Sequence, residues 1–341
     1  MSDIVINTCF DGSEISLLMI QQALALYYKK NIAVKLKHYD INKPNYKMLD
    51  YCKKHKDLYS LMDTNLMDNA INIYGIDLDI HDDVYINPQT YNIAYTISLK
   101  NTSKFYEKLS KFDFILVPDI TLADTAEIMG LKNVKVISPD IIVYPNDNLN
   151  YDTFDILCNL HSSSQEKFHI FFEAYVQIPK FRDAILTIIS DIFANNPTKY
   201  DYFIEIIKNI KNKYNIEKNT YRVELLLNQT PTNVNNCIIK SDLLIFPFAH
   251  NDRWSLIAAN AAAISKQIIL TPQSIMPKYI YNCDIIQDLP VFLGSEKLGQ
   301  QSINIWKIFL SEIELNKKSI LIESKNEKFS DFCNKLEMIE R

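Results

Sequence analysis

A chain of 341 residues with 48% hydrophobic content is long enough for two cores at ~150 residues per domain. Its formal net charge of −5 supplies no basic field, so a nucleic-acid partner is not expected. No apolar run reaches the ~20 residues that span a bilayer, and Met1–Ile6 shows no basic segment leading into a long apolar one. The expectation is a cytoplasmic protein with no transmembrane segment.

Taken in chain order, Ile4–Cys9 is a short β-branched run that reads as a strand. Asp11-Gly12 is a turn, with Ser13 as N-cap and Glu14 in the first turn of a helix over Ile15–Lys30. Ala33–His38 is the next strand. This βαβ opening predicts a parallel sheet. The segment Ile41–Gln89 is polar and has no clear period. Further strands are predicted at Asn92–Ser98, Phe112–Val117 and Val134–Ile137, with helices at Thr102–Leu109 and Thr121–Met129, the latter ended by Gly130. Pro139, Pro145 and Asn146–Asn150 form a linker pattern.

A second alternating unit follows. Strands are predicted at Phe154–Cys158, Ala184–Ile189, Arg222–Leu227, Leu243–Phe246 and Gln267–Leu270. Helices are predicted at Lys167–Val176, Tyr200–Lys213, Thr232–Ile239 and Ser255–Ser265, with terminal helices at Leu298–Leu315 and Asp331–Glu340. The lysines at 208, 211, 213 and 218 fall around an amphipathic pattern of Phe203, Ile206, Ile207 and Ile210 and read as a solvated face. The chain is therefore expected to hold two doubly wound Rossmann-like α/β domains facing a cleft. They cover 1–150 and 151–325, with 326–341 a helix packing back on the first domain. Ligands of such sheets sit at the carboxyl ends of the strands, and with two domains the site is the cleft between them.

Six cysteines (Cys9, Cys52, Cys158, Cys237, Cys283, Cys333) are scattered without a C-x-x-C pair, which reads as reduced thiols. His161 and His169 are not spaced as a metal pair, and His250 stands alone in a loop. Only five glycines occur, while Asn, Ile, Lys and Tyr abound, the bias of an AT-rich genome, viral ones included. No G-x-G-x-x-G follows the first strand, and neither a P-loop nor a G-x-S-x-G elbow is present. A nicotinamide enzyme, a P-loop kinase and an α/β-hydrolase are thus disfavoured.

The most informative stretch runs Ser241-Asp242-Leu243-Leu244-Ile245-Phe246-Pro247, then Asp252-Arg253-Trp254-Ser255-Leu256, then Asn260-Ala261-Ala262-Ala263 and Lys266-Gln267-Ile268-Ile269. It reads as strand, loop, helix, strand. The loop ends at a helix N-terminus, whose free N–H groups and positive dipole end suit a phosphate. Asn260 interrupts an otherwise strong helix former, and such local rule-breaking often marks function.

This stretch resembles the signature of family 4 retaining glycosyltransferases of GT-B fold, in which two glutamates have seven residues between them, a Gly-Phe-Gly-Leu segment included. Here those positions hold Asp252, Asn260 and Arg253-Trp254-Ser255-Leu256. Gln165-Glu166-Lys167 with Phe172-Glu173-Ala174 resembles the family's diphosphate-contacting segment, with Lys167 at the lysine and Ser162 where an arginine often stands. Asp11-Gly12-Ser13-Glu14 resembles its amino-terminal glycine loop, shortened, and Phe112–Pro118 through Val134–Pro139 its first-domain ending.

The resemblance implies a hexosyltransferase-type enzyme that moves a sugar from a nucleotide-sugar to an unidentified glycan, protein or lipid acceptor, with retention and without a required metal or other cofactor. Asp252 would hold the sugar hydroxyls, Asn260 the ribose, and Lys167 with the Trp254–Leu256 amides the leaving diphosphate. Gly12 and Ser13 would line the donor side. Asp252 also fits a helix cap, Asn260 a solvent-facing residue, Lys167 a surface lysine, Gly12 a plain turn and Trp254 a cleft wall or an inter-domain packing residue. The altered glutamates leave open a catalytically degenerate relative that acts as a binding or scaffold protein, and the architecture alone leaves open a doubly wound protein with an unrelated small ligand.

Overall fold

The computed structural model describes residues 3–10, 13–30, 33–38, 46–63, 70–76, 86, 88–99, 102–141, 153–160, 165–190, 197–227, 229–247, 254–264, 266–270, 283–285, 296–313 and 335. Two six-stranded sheets, parallel throughout, organise them. The predicted pair of doubly wound α/β domains is the architecture found.

In the first sheet the strands are β1 (Ile4–Thr8), β2 (Val34–His38), β3 (Ile71–Ile76), β4 (Asn92–Thr96), β5 (Phe114–Val117) and β6 (Val134–Val136), in the order β2-β1-β3-β4-β5-β6. The order reverses between β1 and β3. In the second sheet they are β7 (Asp155–Leu160), β8 (Ile185–Ser190), β9 (Arg222–Leu227), β10 (Leu243–Phe246), β11 (Gln267–Leu270) and β12 (Cys283–Ile285), in the order β12-β11-β10-β7-β8-β9. Its reversal lies between β7 and β10, the crevice where such sheets take ligands.

Helix α1 (Glu14–Lys30) carries apolar residues around its whole circumference, including Leu17, Leu18, Met19, Ile20, Ala23, Leu24, Ala25 and Leu26, all buried. A helix apolar all round must be covered all round. It packs on β1, β2 and β3 on one side and on α9 (Leu256–Ala263) of the second unit on the other.

The polar stretch that the sequence leaves unassigned holds α2 (Tyr46–Lys54), α3 (Lys56–Asp63) and β3. Strand β3 is central and hides its identity behind Asn72 and Gly75. Gly75 is required there because a β-carbon would lie 2.5 Å from Met19 Cγ and 3.2 Å from Ile15 Cγ1 of α1. Asn72 is satisfied by the Thr90 hydroxyl, which accepts from its side-chain amide at 3.0 Å.

The remaining first-unit helices are α4 (Ser103–Leu109), with Thr102 as N-cap, and α5 (Ile120–Ile128), with Asp119 as N-cap. The predicted first residue of α4, Thr102, stands outside the helix as its cap, whereas α5 starts one residue before the predicted Thr121, directly after its cap Asp119. Gly130 follows α5 at φ 79°, the left-handed conformation that glycine tolerates.

In the second unit, α6 (Gln165–Tyr175), α7 (Pro197–Lys213) and α10 (Glu296–Glu312) cover one face, and α8 (Pro231–Lys240) with α9 the other. The first face is aromatic. Phe168 stacks on Phe172 at 5.5 Å, and Phe171 meets Trp306 of α10 edge-on at 5.3 Å, all fully buried. The lysine-rich helix α7 buries Phe203, Ile207 and Ile210 and leaves Lys208 and Lys213 exposed, as its spacing predicts.

Lys266 sits between α9 and β11, 8% exposed, and its ammonium donates to the carbonyls of Ile239 and Ser241 at 2.6 Å each, closing the end of α8. Burial pushes its pKa down to about 8 against the opposing pull of Asp242.

One hydrophobic core runs through both units. Ile15, Leu18 and Ile73 of the first belong to the same buried cluster as Val234, Ile238, Trp254 and Leu256 of the second. The Trp254 amide donates to the Ile97 carbonyl at 2.8 Å, and the Tyr51 and Thr232 hydroxyls meet at 3.0 Å, both across the same boundary. Among the described residues no helix is long and apolar enough to cross a membrane. The predicted terminal helix over Asp331–Glu340 lies outside the described residues apart from helical Lys335.

Candidate active site

At the reversal of the second sheet, β7 ends with Asn159-Leu160 and β10 with Phe246, and α9, starting at Leu256, is the next described element after β10. Ser255 is the N-cap of α9. Its backbone is extended (φ −114°, ψ 122°), and its hydroxyl accepts from the Ala258 amide at 3.3 Å. A serine in that place satisfies one of the amides that the first helical turn leaves open. The helix presents a positive end toward the first unit.

That end is met by Glu14, the first residue of α1. Its Oε1 accepts from the Ser255 hydroxyl at 2.8 Å, from the Asn159 side-chain amide at 3.1 Å and from the Ile257 backbone amide at 3.4 Å. Asn159 also reaches the Ser255 oxygen at 3.4 Å. All three side chains are buried, at 4% exposure for Glu14, 2% for Asn159 and 0% for Ser255. An amide, a hydroxyl and a helix N-terminus thus converge on one anionic oxygen, a donor set that suits phosphate or carboxylate.

Of the residues singled out from the sequence, Ser255 and Leu256 lie at this helix start and are buried. Trp254 precedes them. Its ring is fully buried in the shared core, its amide is engaged by Ile97, and its indole Nε1 has no hydrogen-bond partner among the described residues. Asn260 follows one turn later in α9, 2% exposed, with its Oδ1 likewise lacking a partner among the described residues. Ser13 caps α1, its hydroxyl accepting from the Ser16 amide at 3.3 Å. Lys167 lies in the first turn of α6, with its side chain outside what the structure describes. Asp252 and Gly12 lie outside the described residues.

Two residues at the centre of this arrangement are not singled out by the sequence. Glu14 reads as an ordinary first-turn carboxylate complementing the dipole of its own helix, whereas its carboxylate reaches the dipole of another. Asn159 carries a usable signal. It is a polar residue at the carboxyl end of the strand that opens the second unit, where doubly wound sheets place ligand contacts. On the first-unit side of the boundary, the Phe10 amide donates to His38 Nδ1 at 3.1 Å and the two rings stack.

No family model matches this sequence, and no curated protein matches it by sequence. Solved structures do match its fold. Sucrose-phosphate synthase from Thermosynechococcus elongatus superposes with a TM-score of 0.59 at 11% identity, over 100% of this chain and 98% of that one. Anabaena HepE in complex with UDP-glucose gives 0.56 at 9% identity, over 98% and 93%. A Listeria monocytogenes protein assigned as a UDP-N-acetylglucosamine 2-epimerase gives 0.53 at 12%, over 98% and 95%. At such identities the likeness shows the fold: this chain is a two-domain α/β protein of GT-B architecture.

Proposed function

We propose that the chain is a glycosyltransferase that moves a hexose from a nucleotide-sugar to an acceptor hydroxyl with retention of anomeric configuration. The observation that carries this reading is the convergence of Ser255, Asn159 and the Ile257 amide at the N-terminus of α9, on the reversal point of the second sheet. A diphosphate is the ligand group that this donor set and this helix end suit. The UDP-glucose complex of HepE, a protein of the same fold, is consistent with it.

In the reaction, the bond between the anomeric carbon and the diphosphate oxygen breaks. A bond from the acceptor oxygen forms on the same face, and the acceptor proton passes to the departing diphosphate. Preorganised donors for the developing phosphate charge are the chief catalytic contribution in such a scheme. The α9 amides and Lys167 fill that role, Asp252 holds the sugar hydroxyls, and Gly12 and Ser13 border the donor. The Asn260 amide oxygen is a buried acceptor without a partner among the described residues, and a ribose hydroxyl would satisfy it.

Incubation with UDP-, GDP- and ADP-hexoses, with nucleotide release as the readout, tests the reading. Release from one donor is expected, lost in Asp252→Ala and reduced in Lys167→Ala, and NMR of the product gives the anomeric outcome. No release from any donor, with glycan, lipid and peptide acceptors supplied, contradicts it.

A further inference from the structure

Resting on the donor-site reading above, we propose that Glu14 is an internal competitor of the donor diphosphate, a carboxylate that occupies the α9 end until the nucleotide displaces it. The groups that receive Glu14 are those a phosphate oxygen would use: the Ser255 hydroxyl at 2.8 Å, the Asn159 amide at 3.1 Å and the Ile257 N–H at 3.4 Å. One oxygen takes all three, so the helix end cannot serve a second anion while Glu14 is in place. Glu14 is 4% exposed, so its carboxylate has left water for this position.

A mere staple between domains would not require this chemistry. Apolar side chains of similar volume join buried surfaces at least as well as a buried charge does, and the core around α1 and α9 already does so with Ile15, Leu18, Trp254 and Leu256. A carboxylate on a helix N-terminus is instead a reversible occupant, held by the dipole and exchangeable for a ligand anion.

The exchange has a structural consequence. Glu14 starts α1 of the first unit, while Ser255 and Asn159 belong to the second. Diphosphate entry therefore removes a direct bond between the domains, and nucleotide occupancy is coupled to the contact between them. The donor-free protein is held in the Glu14-docked form, so apparent nucleotide affinity is reduced to the intrinsic value multiplied by the small fraction of molecules in which Glu14 is undocked.

The test is calorimetric titration of UDP, GDP and ADP into the wild type, Glu14→Gln and Glu14→Asp. Gln keeps the shape and removes the charge; Asp keeps the charge and withdraws it by one methylene. Occupancy predicts tighter nucleotide binding in both, about tenfold for Gln and a few-fold for Asp. A gain in Gln alone would mean that the negative charge merely repels the ligand, which overturns the proposal. Affinities equal to or below wild type in both variants also overturn it while leaving the donor site standing. No binding to any of the three proteins overturns the gate and the donor-site reading together. The two variants alter the site by different means, so a folding defect in one leaves the other to decide.

Discussion

The Glu14 carboxylate lies 2.8 Å from the Ser255 hydroxyl across 241 positions of sequence, joining the first helix of one sheet to the helix that follows the reversal point of the other. The bond is buried at both ends, and Ser255 uses the same oxygen to cap α9. Ser255→Ala removes the cap and leaves Glu14 one donor short. The expected cost is about 2 kcal/mol of unfolding free energy in urea, from a lost cap and an under-satisfied buried acceptor. Ser255→Thr, which keeps the hydroxyl, should recover most of it. A cost within error of zero for the alanine variant would show that the bond is not formed in solution.

Gly75 lets α1 lie directly on β3. Gly75→Ala places a methyl carbon 2.5 Å from Met19 Cγ, so α1 must shift or Met19 must leave its rotamer. Overpacking of this kind costs about 1–3 kcal/mol. Met19→Ala alone also destabilises, by opening a cavity. The double variant should be more stable than the sum of the two single costs implies, and a double-mutant cycle measures that coupling. Strict additivity would mean that the helix is not seated as described.

Lys266 gives a pH signature. Burial holds its ammonium at about 8 in the folded protein against the ordinary 10.5, so between those values the unfolded chain binds more protons. Stability from this group is therefore lowest below pH 8 and rises with pH through that window. The Cys52 and Cys237 thiols, pushed up to about 12 and about 11 by burial, act in the opposite sense as pH rises through the ordinary thiol range. The informative quantity is the difference between wild type and Lys266→Met, in which the cysteine contributions cancel. That difference should move by about 1 kcal/mol in favour of the wild type between about pH 7.5 and 9, measured by urea unfolding. A pH-independent difference would contradict the buried ammonium.

Most of the fold is legible in the sequence, because apolar runs bounded by Pro, Gly and capping residues mark parallel strands directly. Arg222–Leu227, Leu243–Phe246 and Gln267–Leu270 are found at the predicted bounds. Strand β3 is not legible. Its glycine answers to Met19 on another element, and its asparagine to Thr90, and neither constraint has a local trace. The candidate site divides in the same way. Ser255 is readable as the start of a helix, although the structure makes it the cap rather than the first helical residue, and Asn260 is readable as a residue out of place in one. Glu14 is not, because a first-turn carboxylate explains itself locally and only the packing of α1 against α9 brings it to a second helix end.

A thermal-shift screen of the wild type against UDP, GDP, ADP and their hexose conjugates tests the central claim most directly. A nucleotide at about one hundred times its dissociation constant adds about 2.7 kcal/mol, which moves the midpoint of a domain of this size by several degrees. The account predicts such a shift with one nucleotide family, larger for the sugar conjugate than for the nucleoside diphosphate alone. Folded protein whose midpoint stays fixed against every one of them at millimolar concentration would contradict it.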